Sequence, residues 1–376
     1  MSARLPGQGG TVRFEGIHAG APPTPRPRGA ALRAIGVRAA QVAATILCML
    51  ALVEVGLRAA RVDDPHPPDV DPKLVTLFEA ASNSRLGWRL APGARVDLPS
   101  NVSISINEAG YRGPFHSRES STAVRRVAVL GDEQAFGQDL PYESTFAGML
   151  EQELRARAGG PWQVLSFAVP GYDLVRESEL WRAKVREYRP NVVVLCYAAD
   201  DLVPTRTLAP RGWSDRLALV RGLRQARARR ELPDWNATGT ALASSVERAF
   251  SAGSPLWRAN REALLGLAGE ICRQQSRLVI VVMPLLVGVG TREELEHTPF
   301  ARYYAALGTL ADDGIPVVDP FAPLVALGGR PAALSADPGG RRQSALANQR
   351  IVAAVIESGA LEPQQDLVPC PNRASD

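Results

Sequence analysis

From residue 126 onward, short apolar segments alternate with longer amphipathic ones, and this alternation constrains the fold more than any other feature. The apolar segments predict strands at Arg126 to Leu130, Gln163 to Phe167, Asn191 to Tyr197, Leu278 to Met283 and Ile315 to Val318. The amphipathic segments predict helices at Phe146 to Arg157, Leu174 to Tyr188, Trp257 to Gln275, Phe300 to Asp312 and Arg341 to Ile356. Strands that alternate with helices pair in parallel through right-handed crossovers. We therefore expect an α/β fold, a three-layer α/β/α sandwich around a five-stranded parallel sheet.

The loops after the carboxyl ends of parallel strands are where such folds place their functional groups. Three of these loops supply the carboxylates and the glycine of the candidate pocket. They begin with Gly131-Asp132-Glu133, with Ala168 to Tyr172, and with Ala198-Ala199-Asp200-Asp201. The candidate pocket therefore contains Asp132, Glu133, Gly171, Asp200 and Asp201.

Four blocks in this region resemble the SGNH/GDSL hydrolases, an esterase and lipase family, and especially its membrane-anchored bacterial members. In chain order the blocks are Val129 to Gly137, Val169 to Tyr172, Tyr188 to Asp201, and Leu334 to Gly340. The resemblance covers roughly residues 100 to 358. It implies a flavodoxin-like strand order and a site for ester bonds.

The family's catalytic positions are mostly replaced in this chain. The resemblance places the nucleophilic serine at Glu133, the oxyanion-hole asparagine at Asp200 and the histidine base at Gly340. It keeps Gly171, whose N–H belongs to the oxyanion hole, and Asp337, the acid that orients the histidine. We expect a catalytically degenerate protein that serves as a binding or scaffold subunit for envelope glycan, lipid or a partner enzyme. The alternative is an active esterase or acyl transferase in which Glu133 attacks and Asp200 or Asp201 acts as base.

Clustered carboxylates need compensation. Two of them about 5 Å apart repel by roughly 3 kcal/mol at an effective dielectric near 20. A shared proton, a bound cation or an arginine would relieve this repulsion. Arg341 and Arg342 directly follow Gly340, and we hypothesise that one of them reaches Glu133 or Asp200 and closes the pocket. In the alternative, both point into solvent.

Few other residues offer chemistry. His297 is the only histidine after residue 116, and it is either a substitute base or a solvated residue near a helix end. The four cysteines, Cys48, Cys196, Cys272 and Cys370, are widely separated, and the pattern predicts no disulfide framework or zinc site. Cys196 and Cys272 are expected to be buried free thiols. No cofactor and no metal is predicted.

Composition divides the chain into segments. The boundaries predict a disordered basic tail at 1–38, a transmembrane helix at 39–60, a linker and small irregular β module at 61–125, an SGNH-hydrolase-like domain at 126–358 with an insertion at 202–256, and a disordered tail at 359–376. The insertion contains arginines and leucines in amphipathic order, which predicts either a solvated helical lid or a face that rests on anionic lipid or an acidic partner.

The amino-terminal charge distribution predicts the topology. Six arginines and one acid precede the apolar segment, and four aspartates between residues 63 and 71 follow it. The positive-inside rule then places the amino terminus in the cytoplasm and the rest of the chain outside, with a signal anchor as the membrane contact. A cleaved signal peptide and an amphipathic or buried helix are the alternatives. A net charge of +4 over 376 residues is too small to indicate nucleic acid as a partner.

Overall fold

The computed structural model describes residues 28–59, 72–157, 161–204, 217–228, 230–235, 237, 239–287, 291, 293, 297–326, 331–336, 340 and 342–362. The chain divides into two units, Met1–Ala59 and Ala60–Asp376. The first unit contains helix α1 (Arg28–Ala59). Its segment Leu32–Ala59 contains an 18-residue window with a mean hydropathy of 2.0. The segment is long and apolar enough to cross a membrane, since 28 residues extend about 42 Å against a hydrocarbon core of about 30 Å.

The second unit begins with a small β module. Strands β1 (Phe78–Ala80) and β2 (Trp88–Leu90) pair antiparallel, as do β3 (Arg95–Asp97) and β4 (Ser103–Ser105). A 3-10 helix, Pro72–Leu77, precedes them. A turn follows at Asn107, whose carboxamide oxygen accepts from the N–H groups of Ala109 and Tyr111.

The main sheet has five parallel strands. These are β5 (Arg125–Gly131), β6 (Trp162–Ser166), β7 (Val192–Tyr197), β8 (Arg277–Val282) and β9 (Val317–Val318), in the order β6-β5-β7-β8-β9. The three central strands are buried almost throughout, as expected for strands covered by helices on both faces. This order is the flavodoxin-like one, so the predicted fold class is confirmed.

Helices flank the sheet. They are α2 (Glu133–Phe136), α3 (Phe146–Ala156), α4 (Leu174–Ala183), α5 (Ala218–Ala228), α6 (Gly239–Ala249), α7 (Pro255–Arg273), α8 (Ala301–Gly308), α9 (Phe321–Ala326) and α10 (Ala345–Glu357). Short 3-10 helices occur at Tyr142–Ser144, Val185–Tyr188, Ala199–Asp201, Thr309–Asp313 and Pro331–Leu334.

One helix start differs from its prediction in a way that affects the site. The last helix, predicted from Arg341, begins at Ala345, because the Ser344 hydroxyl caps it by accepting from the N–H of Ala347. Gln343 instead pairs with Ser335 in an isolated antiparallel bridge. The helix therefore begins four residues later than predicted.

The β module packs against the loop that carries Gly171. The indole N–H of Trp88 donates to the carbonyl of Pro170 at 3.2 Å, and the Tyr172 hydroxyl donates to the carbonyl of Trp88 at 2.5 Å. The two rings meet edge to face with centroids 5.6 Å apart. Buried residues of the module and of the sheet belong to one continuous core, so the module and the loop are packed together.

One cysteine prediction is wrong. Cys272, on α7, is disulfide-bonded, where a free thiol was expected, since its neighbours in sequence give no sign of a distant partner. Cys48 and Cys196 are free thiols, and Cys370 lies outside the described residues. Cys196 is fully buried in β7, and burial raises the pKa of its thiol well above the usual range, as expected for an inert core residue.

Candidate functional site

The turn after β5 positions the first two carboxylates. Gly131 has φ +152° and no room for a side chain, because an added Cβ would lie 2.7 Å from the Cβ of Ala135. Asp132 is only 2% exposed, and its Oδ1 accepts from the N–H of Gln134 at 2.8 Å as the N-cap of α2. Glu133 follows as the first residue of α2, half-buried at the carboxyl end of the sheet.

The carboxylate of Glu133 faces the Gly171 N–H, the donor that the resemblance assigns to the oxyanion hole. The backbone N–H of Gly171 donates to Glu133 Oε2 at 3.1 Å. The two residues that the resemblance singles out from blocks one and two are therefore in direct contact. A donor that already faces a negative charge is not free to stabilise a second one in a transition state.

The third loop brings Asp200 and Asp201 to the same edge of the sheet. Asp200 is exposed, whereas Asp201 is 1% exposed and its Oδ2 accepts from the N–H of Ala198 at 2.6 Å. Asn260 of α7 holds Val203, two residues after Asp201. Its side-chain oxygen accepts from the Val203 N–H, and its side-chain nitrogen donates to the Val203 carbonyl. These two hydrogen bonds fix the end of the loop to α7.

Three of the predicted carboxylates converge. One oxygen each from Asp132, Glu133 and Asp200 can be chosen so that all three atoms lie within 4.8 Å of one another. The group runs from buried Asp132 through half-buried Glu133 to exposed Asp200, so it opens to solvent on one side.

A fourth acidic residue behind the cluster was missed by the sequence reasoning. Glu177 of α4 is 0% exposed, and among the described residues neither of its carboxylate oxygens has a hydrogen-bond partner. In the sequence Glu177 is one polar residue within an amphipathic helix, and only the packing of α4 under the loops reveals its burial.

Burial and mutual repulsion shift these groups in the same direction. Burial, followed by the charges of Glu133 and Asp200, raises the pKa of Asp132 well above its usual range. The pKa of Asp201 rises for the same reason, with Glu177 as the first charge that contributes. The pKa of Glu177 is also raised, by burial and then by Asp173 and Asp200. These three buried carboxyl groups therefore keep their protons to a higher pH than ordinary carboxyl groups do.

The segment before α10 does not present a base. Gly340 has φ +68°, and a Cβ added there would lie 2.4 Å from the carbonyl oxygen of Leu286, so a histidine at this position would require the backbone to move. The side chain that does reach the turn after β5 is Gln343, which was not predicted. Its Nε2 donates to Gln134 Oε1 at 2.8 Å and to the carbonyl of Pro284 at 3.0 Å.

Of the two arginines expected to close the pocket, Arg342 pairs with a different carboxylate from the two that were expected. Arg342 forms an ion pair with Asp139, with 2.6 Å between Nε and Oδ2, and thereby joins the segment before α10 to the loop after α2. Within the described ranges Glu133 forms no ion pair. Arg341 and Asp337 lie outside the described residues.

The two histidines among the described residues have contacts outside this arrangement. His297 is exposed, and its Nδ1 lies 3.1 Å from the carbonyl oxygen of Glu293. His116 lies 3.6 Å from Glu151 at the back of α3. The contacts of His297 fit the solvated alternative.

A cavity of about 650 Å³ lies between the β module and α4. Lys184 reaches it from the end of α4, where its ammonium donates to the carbonyl of Gly110 at 2.9 Å and lies over the ring of Phe167. Arg89, Arg118 and Tyr172 also line it. The lining includes Val169 and Tyr172, so this cavity borders the loop of Gly171 from the module side.

Comparisons with known proteins return structures and no sequence relatives. No protein-family model matches the chain, and no curated protein does either. Among solved structures the chain is similar to a lipase/acylhydrolase from Enterococcus faecalis, with 16% identity over 64% of this chain and 100% of that one at a TM-score of 0.40. An acetyl xylan esterase is 11% identical over 62% of this chain and 98% of that one, with a TM-score of 0.40. A protein described as lipolytic and of the G-D-S-L family, from Desulfitobacterium hafniense, is 11% identical over 62% and 98%, with a TM-score of 0.38.

Likeness at these identities concerns the fold alone and carries no information on substrate or catalysis. Several of the structural neighbours are described as lipases or esterases.

Proposed function

We propose that this protein is a membrane-anchored binding or scaffold protein whose SGNH-hydrolase-like domain lies outside the cytoplasm and has lost ester hydrolysis. The resemblance implies an envelope glycan, a lipid or a partner enzyme as the bound species. The observation that carries the proposal is the hydrogen bond from the Gly171 N–H to the Glu133 carboxylate.

Ester hydrolysis on this site would work against its electrostatics. A tetrahedral intermediate carries a developing negative charge, which hydrolases stabilise with donors that point into a water-poor site. Here the donor of Gly171 is committed to Glu133, and two more carboxylates lie within 4.8 Å. The charge would form beside acids that repel it.

The alternative is an active esterase or acyl transferase that uses Glu133 as nucleophile. An assay of the full-length protein in detergent on p-nitrophenyl acetate separates the two functions. We expect no turnover above the buffer rate from the wild type or from Glu133→Ala. Wild-type turnover that Glu133→Ala abolishes, and that the exposed helix variant Glu153→Gln retains, would overturn the binding function in favour of the enzyme.

Two observations support placement outside the cytoplasm. The arginine-rich segment precedes the apolar part of α1 and the acidic one follows it, in the order that the positive-inside rule associates with an exported carboxyl-terminal domain. The disulfide at Cys272 is of a kind that persists in oxidising compartments. The orientation is tested with alkaline phosphatase, an enzyme active only after export, fused to the carboxyl terminus: activity is expected, and an inactive, stable fusion would contradict the topology.

A further inference from the structure

Beyond the three converging carboxylates, the site contains two buried acids with oxygens that have no hydrogen-bond partner among the described residues. Glu177 is fully buried and neither of its oxygens is hydrogen-bonded within the described part of the chain; the same holds for Oδ1 of Asp201. An unpaired buried carboxylate costs several kcal/mol when it is charged, and either a proton or a nearby cation removes this cost. Both residues lie near enough to the cluster to interact with it electrostatically, Glu177 with Asp200, and Asp201 with Asp132 and Asp200.

We propose that Asp132, Glu133 and Asp200 bind a calcium ion, with Glu177 and Asp201 adding negative charge behind it. This inference rests on the proposed function, because it names what the altered site binds. A cation turns the repulsion among these groups into attraction, and it does so without a basic residue at the position where the family keeps its base.

The spacing fits calcium. Ca²⁺ takes oxygen ligands at about 2.3–2.6 Å, so two oxygens in its coordination sphere lie at most about 5.2 Å apart. The 4.8 Å limit on the three oxygens allows all of them to share one Ca²⁺ sphere. Carboxylate oxygens are also the ligands that this ion prefers.

The existing hydrogen bonds leave ligand oxygens available. Asp132 uses Oδ1 to accept from Gln134, and Glu133 uses Oε2 to accept from Gly171. Each carboxylate retains a second oxygen, and each hydrogen bond orients the group that carries it. Exposed Asp200 leaves the cluster open to solvent, so the ion has an entry path and water completes its coordination.

The test is calcium binding by the full-length protein in detergent, measured by calorimetry and by the midpoint of thermal unfolding, Tm. We expect one saturable Ca²⁺ per chain, with a Kd on the order of 10⁻⁴–10⁻³ M as in other exposed extracellular sites, and a Tm that rises with Ca²⁺ concentration. Glu133→Gln and Asp200→Asn should each weaken binding at least tenfold. Glu153→Gln, an exposed acid on α3, is the matched control and should bind as the wild type does.

The Tm measured without calcium shows whether the substitutions themselves destabilise the fold. Removing one charge from the cluster relieves repulsion, so both variants should have an apo Tm no lower than the wild type. The proposal is overturned if the wild type shows no saturable binding at 10 mM Ca²⁺, if sodium chloride of equal ionic strength raises Tm as much, or if Glu133→Gln and Asp200→Asn bind as tightly as the wild type.

Repeating the ester assay with and without calcium separates this inference from the proposed function. Calcium binding together with turnover that Glu133→Ala abolishes would overturn the binding function and leave the calcium site standing. Absence of both calcium binding and turnover would overturn the calcium site alone.

Discussion

At the level of single residues, Glu133 determines what the loop after β5 does. The sequence predicts that the residue has replaced a nucleophile, but not where its carboxylate points, because the side-chain rotamer depends on a loop 38 residues away. The same holds for Glu177, whose burial no local pattern indicates. The convergence of Asp132, Glu133 and Asp200 could therefore be predicted, whereas Glu177 and the hydrogen-bond partners of these groups could not.

Gly340 shows how a backbone position excludes the family's base. We expect Gly340→Ala to lower the free energy of unfolding by about 2–3 kcal/mol more than Gly359→Ala does. Both glycines have a left-handed φ, +68° and +66°, but only Gly340 has a neighbour within 4 Å of an added Cβ. Denaturant unfolding of both variants measures this, and equal losses would show that Leu286 yields without cost.

Lys184 provides a pH-dependent prediction outside the carboxylate site. Burial, then Arg89 and Arg118, lowers the pKa of Lys184 to about 8, while Glu187 opposes the shift. From pH 8 to about 10.5 the folded state releases this proton and the unfolded state keeps it, so folding stability is gained as pH rises through this range. The wild type should gain on the order of 3 kcal/mol relative to Lys184→Met.

The other lysine is the control for that series. Lys73 is exposed, and Lys73→Met should follow the wild-type pH dependence. Unfolding free energies at pH 7 to 10 on all three proteins measure the difference. Parallel curves for the wild type and Lys184→Met would contradict the lowered pKa.

At the level of elements, the five strands were predictable because buried parallel strands read as continuous apolar runs. The start of α10 was not, since arginines are good helix formers and the Ser344 cap decides the boundary. The contact between the β module and the main domain was also missed, because its residues are separated by tens of positions in the sequence. Arg112 is the clearest case.

Arg112 connects the module to α2. Its guanidinium, 1% exposed, donates to the carbonyls of Phe136, Gly137 and Leu140 at 2.6–2.8 Å. Arg112→Met leaves these acceptors unpaired, which should cost about 3 kcal/mol of unfolding free energy. Arg95→Met, at an exposed position in the same module, should cost less than about 1 kcal/mol. Equal effects in denaturant unfolding would show that Arg112 does not hold α2.

At the level of the whole molecule, the proposed membrane attachment and compartment rest on the apolar helix α1 and on the disulfide at Cys272. The apolar helix was predictable from composition, although α1 begins at Arg28 and not at residue 39. The disulfide at Cys272 was not predictable, because a cysteine without a near neighbour reads as a core thiol.

The disulfide predicts a thiol count. A disulfide consumes two of the four cysteines, so protein alkylated in denaturant directly from membranes should show two reactive thiols before reduction and four after it. Intact-mass measurement counts the adducts. Four adducts without reduction would contradict both the disulfide and the oxidising compartment that it supports.

The claim on which this account depends is that Glu133 occupies the Gly171 N–H. Amide hydrogen exchange of the full-length protein, followed by mass spectrometry on a peptide that covers residues 168–172, tests it directly. The N–H groups of Val169 and Tyr172 are bonded to the carbonyls of Gly131 and Val169 and should stay protected in either variant. We predict that Glu133→Ala adds one rapidly exchanging amide to this peptide while Glu133→Gln, which can still accept, adds none. Identical exchange in the wild type and Glu133→Ala would contradict the account.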